Sequence, residues 1–101
     1  MLSTSQLIKM ARVKKSLDQE SLATKLGISV NYLSLIENNK KEPSTDILKK
    51  ISKILEIPLI VMAWEKMKVP ATKNREEKKI LSSLQGLVEE AQMIFLSKLS
   101  N

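Results

Sequence analysis

The chain sets apolar residues at helical spacing in six successive stretches. Leu7, Ile8 and Ala11 recur three to four residues apart. Ahead of them Ser3 and Gln6 have the spacing of a capping box, so a first helix is predicted to run to about Lys15. Asp18 is an N-cap for a second helix, Gln19 to Leu26, with Leu22, Ala23 and Leu26 facing inward. Gly27 follows where a left-handed C-cap belongs, and Ile28 closes the turn. Ser29 caps a third helix, Val30 to about Asn38, with Leu33 and Ile36 inward and Tyr32 a further candidate for that face. Asn38-Asn39 ends it, because Asn tolerates the left-handed conformation. Ser44 caps a fourth, Thr45 to Leu55, with Ile47, Leu48, Ile51, Ile54 and Leu55 on one stripe. Pro58 suits a first helical turn, and Leu59 to Lys68 reads as a fifth helix.

Pro70 disfavours helix at Val69, which makes 69–74 a linker. Asn74 and Glu77 have the spacing of a second capping box. Beyond them Ile80, Leu81, Leu84, Leu87, Val88, Ala91, Ile94 and Phe95 fill an arc of about 140° on a helix from Arg75 to Leu99. Such a helix spans about 37 Å at 1.5 Å per residue. The predicted organisation is therefore all-α: a five-helix domain over 1–68, a linker over 69–74, and a long C-terminal amphipathic helix over 75–101.

Composition narrows the function classes. There is no Cys and no His among the 101 residues, which removes disulfides, thiol nucleophiles, the usual zinc sites and a Ser-His-Asp triad. No nucleophile, base or metal cluster emerges, so the chain reads as a non-enzyme without cofactor. The net charge of +6 admits a polyanionic partner. No apolar run reaches the roughly 18 residues of a membrane span, and the N-terminus lacks a signal-peptide pattern, so a cytoplasmic setting is expected.

The second and third helices meet across one tight glycine turn, in the order cap, Gln, short helix, Gly, apolar residue, Ser cap, helix. That order describes a helix-turn-helix, and an exposed α-helix fits the major groove of B-form DNA. The stretch from Gln19 to Asn38, QESLATKLGISVNYLSLIEN, resembles the Xre/Cro family of lambda-repressor-like helix-turn-helix proteins. The likeness extends from about Leu7 to the end of the fifth helix. It implies a compact bundle of five helices that binds operator DNA as a dimer, most often as a repressor.

Carried over by position, the resemblance gives Gln19 a phosphate contact. It places Val30, Asn31, Ser34 and Leu35 on the base-reading front of the third helix. Asn31 suits a bidentate pair with adenine, and Val30 or Leu35 a thymine methyl or local packing; Leu35 is alternatively turned inward or towards a partner. Asn38, Lys40 and Lys41 match the loop that tracks the backbone and supplies salt-dependent affinity. Arg12 and Glu37 match a scaffold pair bridging the first and third helices. The chain departs from the family pattern at Ser16 and Asn39, where glycine is common, and at Leu35, where a polar or basic residue is frequent.

The C-terminal stripe has two readings. It either folds back on the domain or pairs with a second copy. Ile80, Leu84, Leu87, Ala91 and Ile94 alternate at four and three residues, the spacing of a coiled-coil seam, which favours dimerisation. The expected function is thus a homodimeric transcriptional repressor on a near-palindromic operator. Two alternatives stay open: an antitoxin-type protein whose C-terminal helix holds a protein partner, and a controller of restriction-modification or mobile-element genes. A membrane-surface role is disfavoured by Glu89 and Glu90.

Overall fold

The computed structural model describes residues 2–67 and 71–100. The helices are α1 (Thr4–Lys14), α2 (Gln19–Leu26), α3 (Val30–Glu37), α4 (Thr45–Leu55), α5 (Leu59–Lys66) and α6 (Arg75–Leu99), with no strand among the described residues. All six predicted helices are present, and the starts of all but α5 follow from a side-chain cap. Ser3, Asp18, Ser29, Ser44 and Asn74 each accept a hydrogen bond from the backbone N–H three residues on. Each bond satisfies one N–H that a helix start would leave unpaired. Ser21's backbone N–H also holds the Asp18 carboxyl below its usual 3.8. Ser3 and Gln6 close the full capping box.

Two local expectations are corrected. The second capping box forms only halfway: Asn74 accepts from the Glu77 N–H, but the Glu77 carboxylate accepts from the Thr72 hydroxyl. The Thr72 oxygen in turn accepts the Asn74 N–H, so one hydroxyl stands between the two partners of the expected bond. Pro58 sits at the N-cap of α5, with φ −54 and ψ 125, one residue ahead of the helical turn. The predicted end of the fifth helix at Lys68, and Val69 and Pro70 of the linker, lie outside the described residues.

The exits of α1 to α4 share one device, a residue with positive φ. Gly27 adopts φ 72 and ends α2 in a Schellman-type turn, Gly27 N–H donating to Thr24 and Ile28 N–H to Ala23. Ser16, Asn39 and Glu56 adopt φ 57 to 58, the region where L-residues are strained. Ser16 and Asn39 are the two positions where the resemblance makes glycine common. Glu56 is steadied by an ion pair at 2.9 Å with Lys15, which holds its carboxyl below the usual range.

Every helix contributes to one core. Leu7, Ile8 and Ala11 of α1 meet Leu22, Leu26, Leu33, Ile36, Leu48, Ile51, Leu55 and Met62. α6 joins this core through Phe95, with Ala91, Leu96 and Leu99 packed beside it. Gln92 adds a two-bond clasp on the N-terminus: the Leu2 N–H donates to its Oε1 at 3.1 Å, and its Nε2 donates to the Leu2 carbonyl at 3.3 Å. The molecule is elongated, 47 × 29 × 19 Å, as expected when a helix of 25 residues exceeds the width of the bundle it packs on.

Candidate nucleic-acid interface

α3 is held from behind by a buried charge network. Arg12 Nε donates to Glu37 Oε2 at 2.8 Å and Nη2 to Oε1 at 3.0 Å, a two-pronged pairing of guanidinium and carboxylate. Arg12 Nη1 donates to the Leu17 carbonyl at 2.8 Å, and Gln19 Nε2 donates to Glu37 Oε1 at 3.2 Å. These bonds tie α1, the turn after it, the start of α2 and the end of α3 into one rigid unit. Ser5 adds a second anchor, its hydroxyl donating to the Ile36 carbonyl at 2.7 Å. Ser5 was not singled out from the sequence. It shares a face with Ile8 and Arg12 at i, i+3 and i+7, and that spacing was the available signal.

With its inner side fixed, α3 presents a defined front. At about 100° per residue, Val30, Ser34, Asn38, Asn31 and Leu35 fall on one arc of about 140°. Leu33, Ile36 and Glu37 fall on the other side and are buried. Val30 and Asn31 are exposed; Ser34 and Leu35 are half-buried. The structure therefore brings all four residues read as base-contacting to the same face. Val30 and Asn31 stand furthest out, at the end of α3 that its Ser29 cap leaves towards solvent.

The phosphate candidates lie around this face in different states. Gln19 is half-buried and turned to Glu37, with a second Nε2 hydrogen left for another acceptor. Asn38 is turned back on α3, its Nδ2 donating to the Ser34 carbonyl at 2.9 Å and the Ser34 hydroxyl at 3.3 Å. Lys40 and Lys41 are exposed, and both backbone N–H groups donate to the Leu35 carbonyl, folding the loop against α3. The Lys41 ammonium stands 5.8 Å from the centre of the Tyr32 ring, a cation–π distance that keeps this charge beside the front. Lys66 Nζ closes the loop from α5, donating to the Pro43 carbonyl at 2.9 Å. Lys66 and Tyr32 were not read as part of the site, because loop and α5 meet only in the folded chain.

The predicted pairing stripe of α6 divides. Val88, Gln92 and Phe95 are buried, Phe95 within the chain's own core, with Leu99 half-buried on the same arc. Ile80, Leu84, Leu87 and Ile94 are exposed, Ile80 and Leu87 at 59% and 61%. The two sets lie about 90° apart around the helix. Ala91, read as part of the pairing seam, packs at the edge of the core instead. Beside Leu84 and Leu87 an apolar groove of about 230 Å³ runs between α5 and α6, bounded also by Ile60, Trp64 and Met67.

Among the described residues no cluster of acidic side chains is arranged to hold a metal ion, and no helix is long and apolar enough to cross a membrane.

Comparison with known proteins places this geometry. The helix-turn-helix family model HTH_3 matches residues 8–61, from α1 into α5. The ImmF control region 10 kDa protein of Bacillus phage phi105 is 40% identical over 63 residues, which cover 62% of this chain and 70% of that protein. The HTH-type transcriptional regulator SinR of Bacillus subtilis (strain 168) is 37% identical over 62 residues. That match covers 60% of this chain and 56% of SinR, so the chain spans little more than half of that relative's length. A solved structure titled SinR protein/SinI protein complex contains a chain that aligns with a TM-score of 0.55 and 29% identity. The alignment covers 95% of this chain and 93% of that one, which carries the likeness into α6.

Proposed function

The chain belongs to the helix-turn-helix family of Xre/lambda-repressor-like transcriptional regulators, and from that premise we propose that it is a homodimeric repressor that reads its operator with α3. The observation that carries the reading is the buried Arg12–Glu37 pair, with Gln19 bonded to the same carboxylate. It fixes α3 so that Val30, Asn31 and Ser34 project from one arc towards a major groove. Asn31 pairs with an adenine edge through N6 and N7, and Val30 meets a thymine methyl. Lys40 and Lys41 bind the flanking phosphates, and Gln19 donates its second amide hydrogen to one more. The front of α3 holds no Arg or Lys, so the arginine–guanine contact does not come from this helix. Specificity rests on Asn31, on methyl contacts and on DNA shape, with the lysines supplying salt-dependent affinity.

Pairing through the exposed Ile80, Leu84, Leu87 and Ile94 face of α6 sets two α3 helices about one DNA turn apart, on a near-palindromic operator. The dimer represses by occluding a promoter. The protein works in the cytoplasm, without cofactor and without catalysing a reaction. The test is selection of bound sequences from random duplex DNA at a stated salt concentration. A two-fold-symmetric consensus is expected. Asn31→Ala then relaxes preference at one base pair in each half-site and lowers operator affinity by roughly tenfold, within the 1–3 kcal/mol of one bidentate base contact. Binding that stays weak and indifferent to sequence at low salt overturns the reading.

A second reading is favoured by the same exposed α6 face together with the likeness to a chain of the SinR/SinI complex. Here α6 holds a different protein, as in an antitoxin, while the helix-turn-helix regulates the pair's own genes. A stoichiometric second protein co-purifying from native cells selects this reading over the homodimer.

A further inference from the structure

The exposed face of α6 carries a charge at each end of its apolar seam. At about 100° per residue, Glu76, Ile80, Leu87, Ile94 and Lys98 fall within one arc of about 40°, and no other residue of α6 shares that arc. All five are exposed. Their order is the same read from either end: Ile80 and Ile94 stand seven residues from Leu87, and Glu76 and Lys98 eleven. Among the described residues neither Glu76 nor Lys98 has an ion pair within the chain. Glu56, whose carboxyl feels the charge of Lys98, is bonded to Lys15 at 2.9 Å instead.

On the reading that α6 pairs with a second copy, we infer that the two helices run antiparallel about Leu87, and that Glu76 and Lys98 set this direction. Reversal about Leu87 places Leu87 against the partner's Leu87, Ile80 against the partner's Ile94, and Glu76 against the partner's Lys98. The two-fold axis makes the outer contacts twice. Parallel pairing makes the same apolar layers along this arc, Leu on Leu and Ile on Ile, so apolar burial does not choose between the directions. Charge does. Parallel helices set Glu76 against Glu76 and Lys98 against Lys98, whereas reversed helices set opposite signs together at both ends. Glu90 is the remaining charged residue within about 60° of the centre of the seam. Reversal moves the two Glu90 carboxylates about 9 Å apart along the helix, whereas parallel pairing brings them level. The helix dipoles act in the same sense, since reversal sets each positive end beside the partner's negative end. The apolar groove of about 230 Å³ opens beside Leu84 and Leu87, so the centre of the interface extends across it to Ile60 and Met67, which are 49% and 50% exposed.

The chain has no cysteine, so a single introduced thiol reports position without interference. The experiment treats Leu87→Cys, Ile80→Cys and Ile94→Cys, alone and mixed, with a short bismaleimide. Leu87→Cys links to itself in either direction and reports the pairing. A mixture of Ile80→Cys and Ile94→Cys is expected to link as the mixed dimer roughly tenfold faster than either alone, because reversal leaves the two copies of residue 80 about 21 Å apart along the helix. Ile80→Cys that links to itself as fast as Leu87→Cys shows parallel helices and overturns the proposal, while the pairing stands. Leu87→Cys that fails to link, in a chain that sediments as a monomer, removes the pairing and the proposal with it. Sedimentation equilibrium then reads the charges. Lys98→Glu and Glu76→Lys are each expected to weaken self-association roughly fivefold, and Glu76→Lys/Lys98→Glu to recover most of the loss. The double variant keeps both charges at the wrong ends of the helix dipole, so its recovery comes from the partner and not from α6 itself. Single swaps that leave self-association unchanged overturn the proposal.

Discussion

At the scale of single residues, the strained positions and those proposed to read DNA are different sets. Ser16 and Asn39 take φ 58 and 57 at helix exits, where a side chain costs about 1–2 kcal/mol over glycine. Asn is the milder case, and its Oδ1 also lies 3.4 Å from the Ser5 hydroxyl. Ser16→Gly is therefore expected to stabilise the fold by about 0.5–1 kcal/mol, after the extra freedom that glycine brings to the unfolded chain. Urea unfolding measures this directly, and a lower midpoint at unchanged slope would refute the strain argument. Asn39→Gly is expected to gain less, since it also removes the carboxamide beside Ser5. Neither change touches the front of α3, so operator affinity should follow stability only.

At the scale of elements, α3 is placed by what lies behind it. The Arg12 and Glu37 side chains are only 10% and 2% exposed, and they bond to each other, to the Leu17 carbonyl and to Gln19. Removing one member leaves a buried charge unpaired, which costs about 3–5 kcal/mol, whereas replacing both by apolar residues of similar volume is often nearly neutral. Glu37→Ala is thus expected to lose about 3 kcal/mol or more, and Arg12→Met/Glu37→Leu to recover most of it in denaturant titrations. The double variant should still bind DNA less well, because Gln19 loses its anchor and the orientation of α3 loosens. A double variant as unstable as Glu37→Ala would show that packing, rather than the stranded charge, sets the loss. The loop after α3 is positioned in the same way, by Lys66 on the Pro43 carbonyl and by the Leu35 carbonyl that accepts from Lys40 and Lys41.

At the scale of the whole molecule, α6 has two faces with different surroundings. Its Phe95 face completes the core, and Gln92 clasps the first residues of the chain. Its Leu87 face is open beside the α5 groove. Deleting the helix does not test the proposed pairing cleanly, because truncation after residue 69 also empties the Phe95 socket; losing a buried Phe alone typically costs about 3–5 kcal/mol. Leu84→Glu/Leu87→Glu separates them. This variant is expected to stay folded, with its melting temperature within a few degrees of the parent, and to sediment as a monomer with weaker, less cooperative operator binding. A variant that remains dimeric would move the interface to another surface.

Much of this protein can be read from the chain alone, because the determinants are local. Each predicted cap is a short polar residue placed just ahead of a periodic apolar run, and Gly27 stands where φ must be positive. The cap and the periodicity act within three or four residues, so helix starts, the inward faces of α2, α3 and α4, and the position of the helix-turn-helix follow without knowledge of the fold. The match to residues 8–61 covers that same part. The use of α6 was decided only by tertiary structure. A stripe of about 140° is wide enough to serve two partners, and periodicity does not say which side meets the bundle. The answer came from contacts between distant residues, Phe95 in the shared core and Gln92 on Leu2, which turned Ala91 inward and left Ile80, Leu84, Leu87 and Ile94 outside.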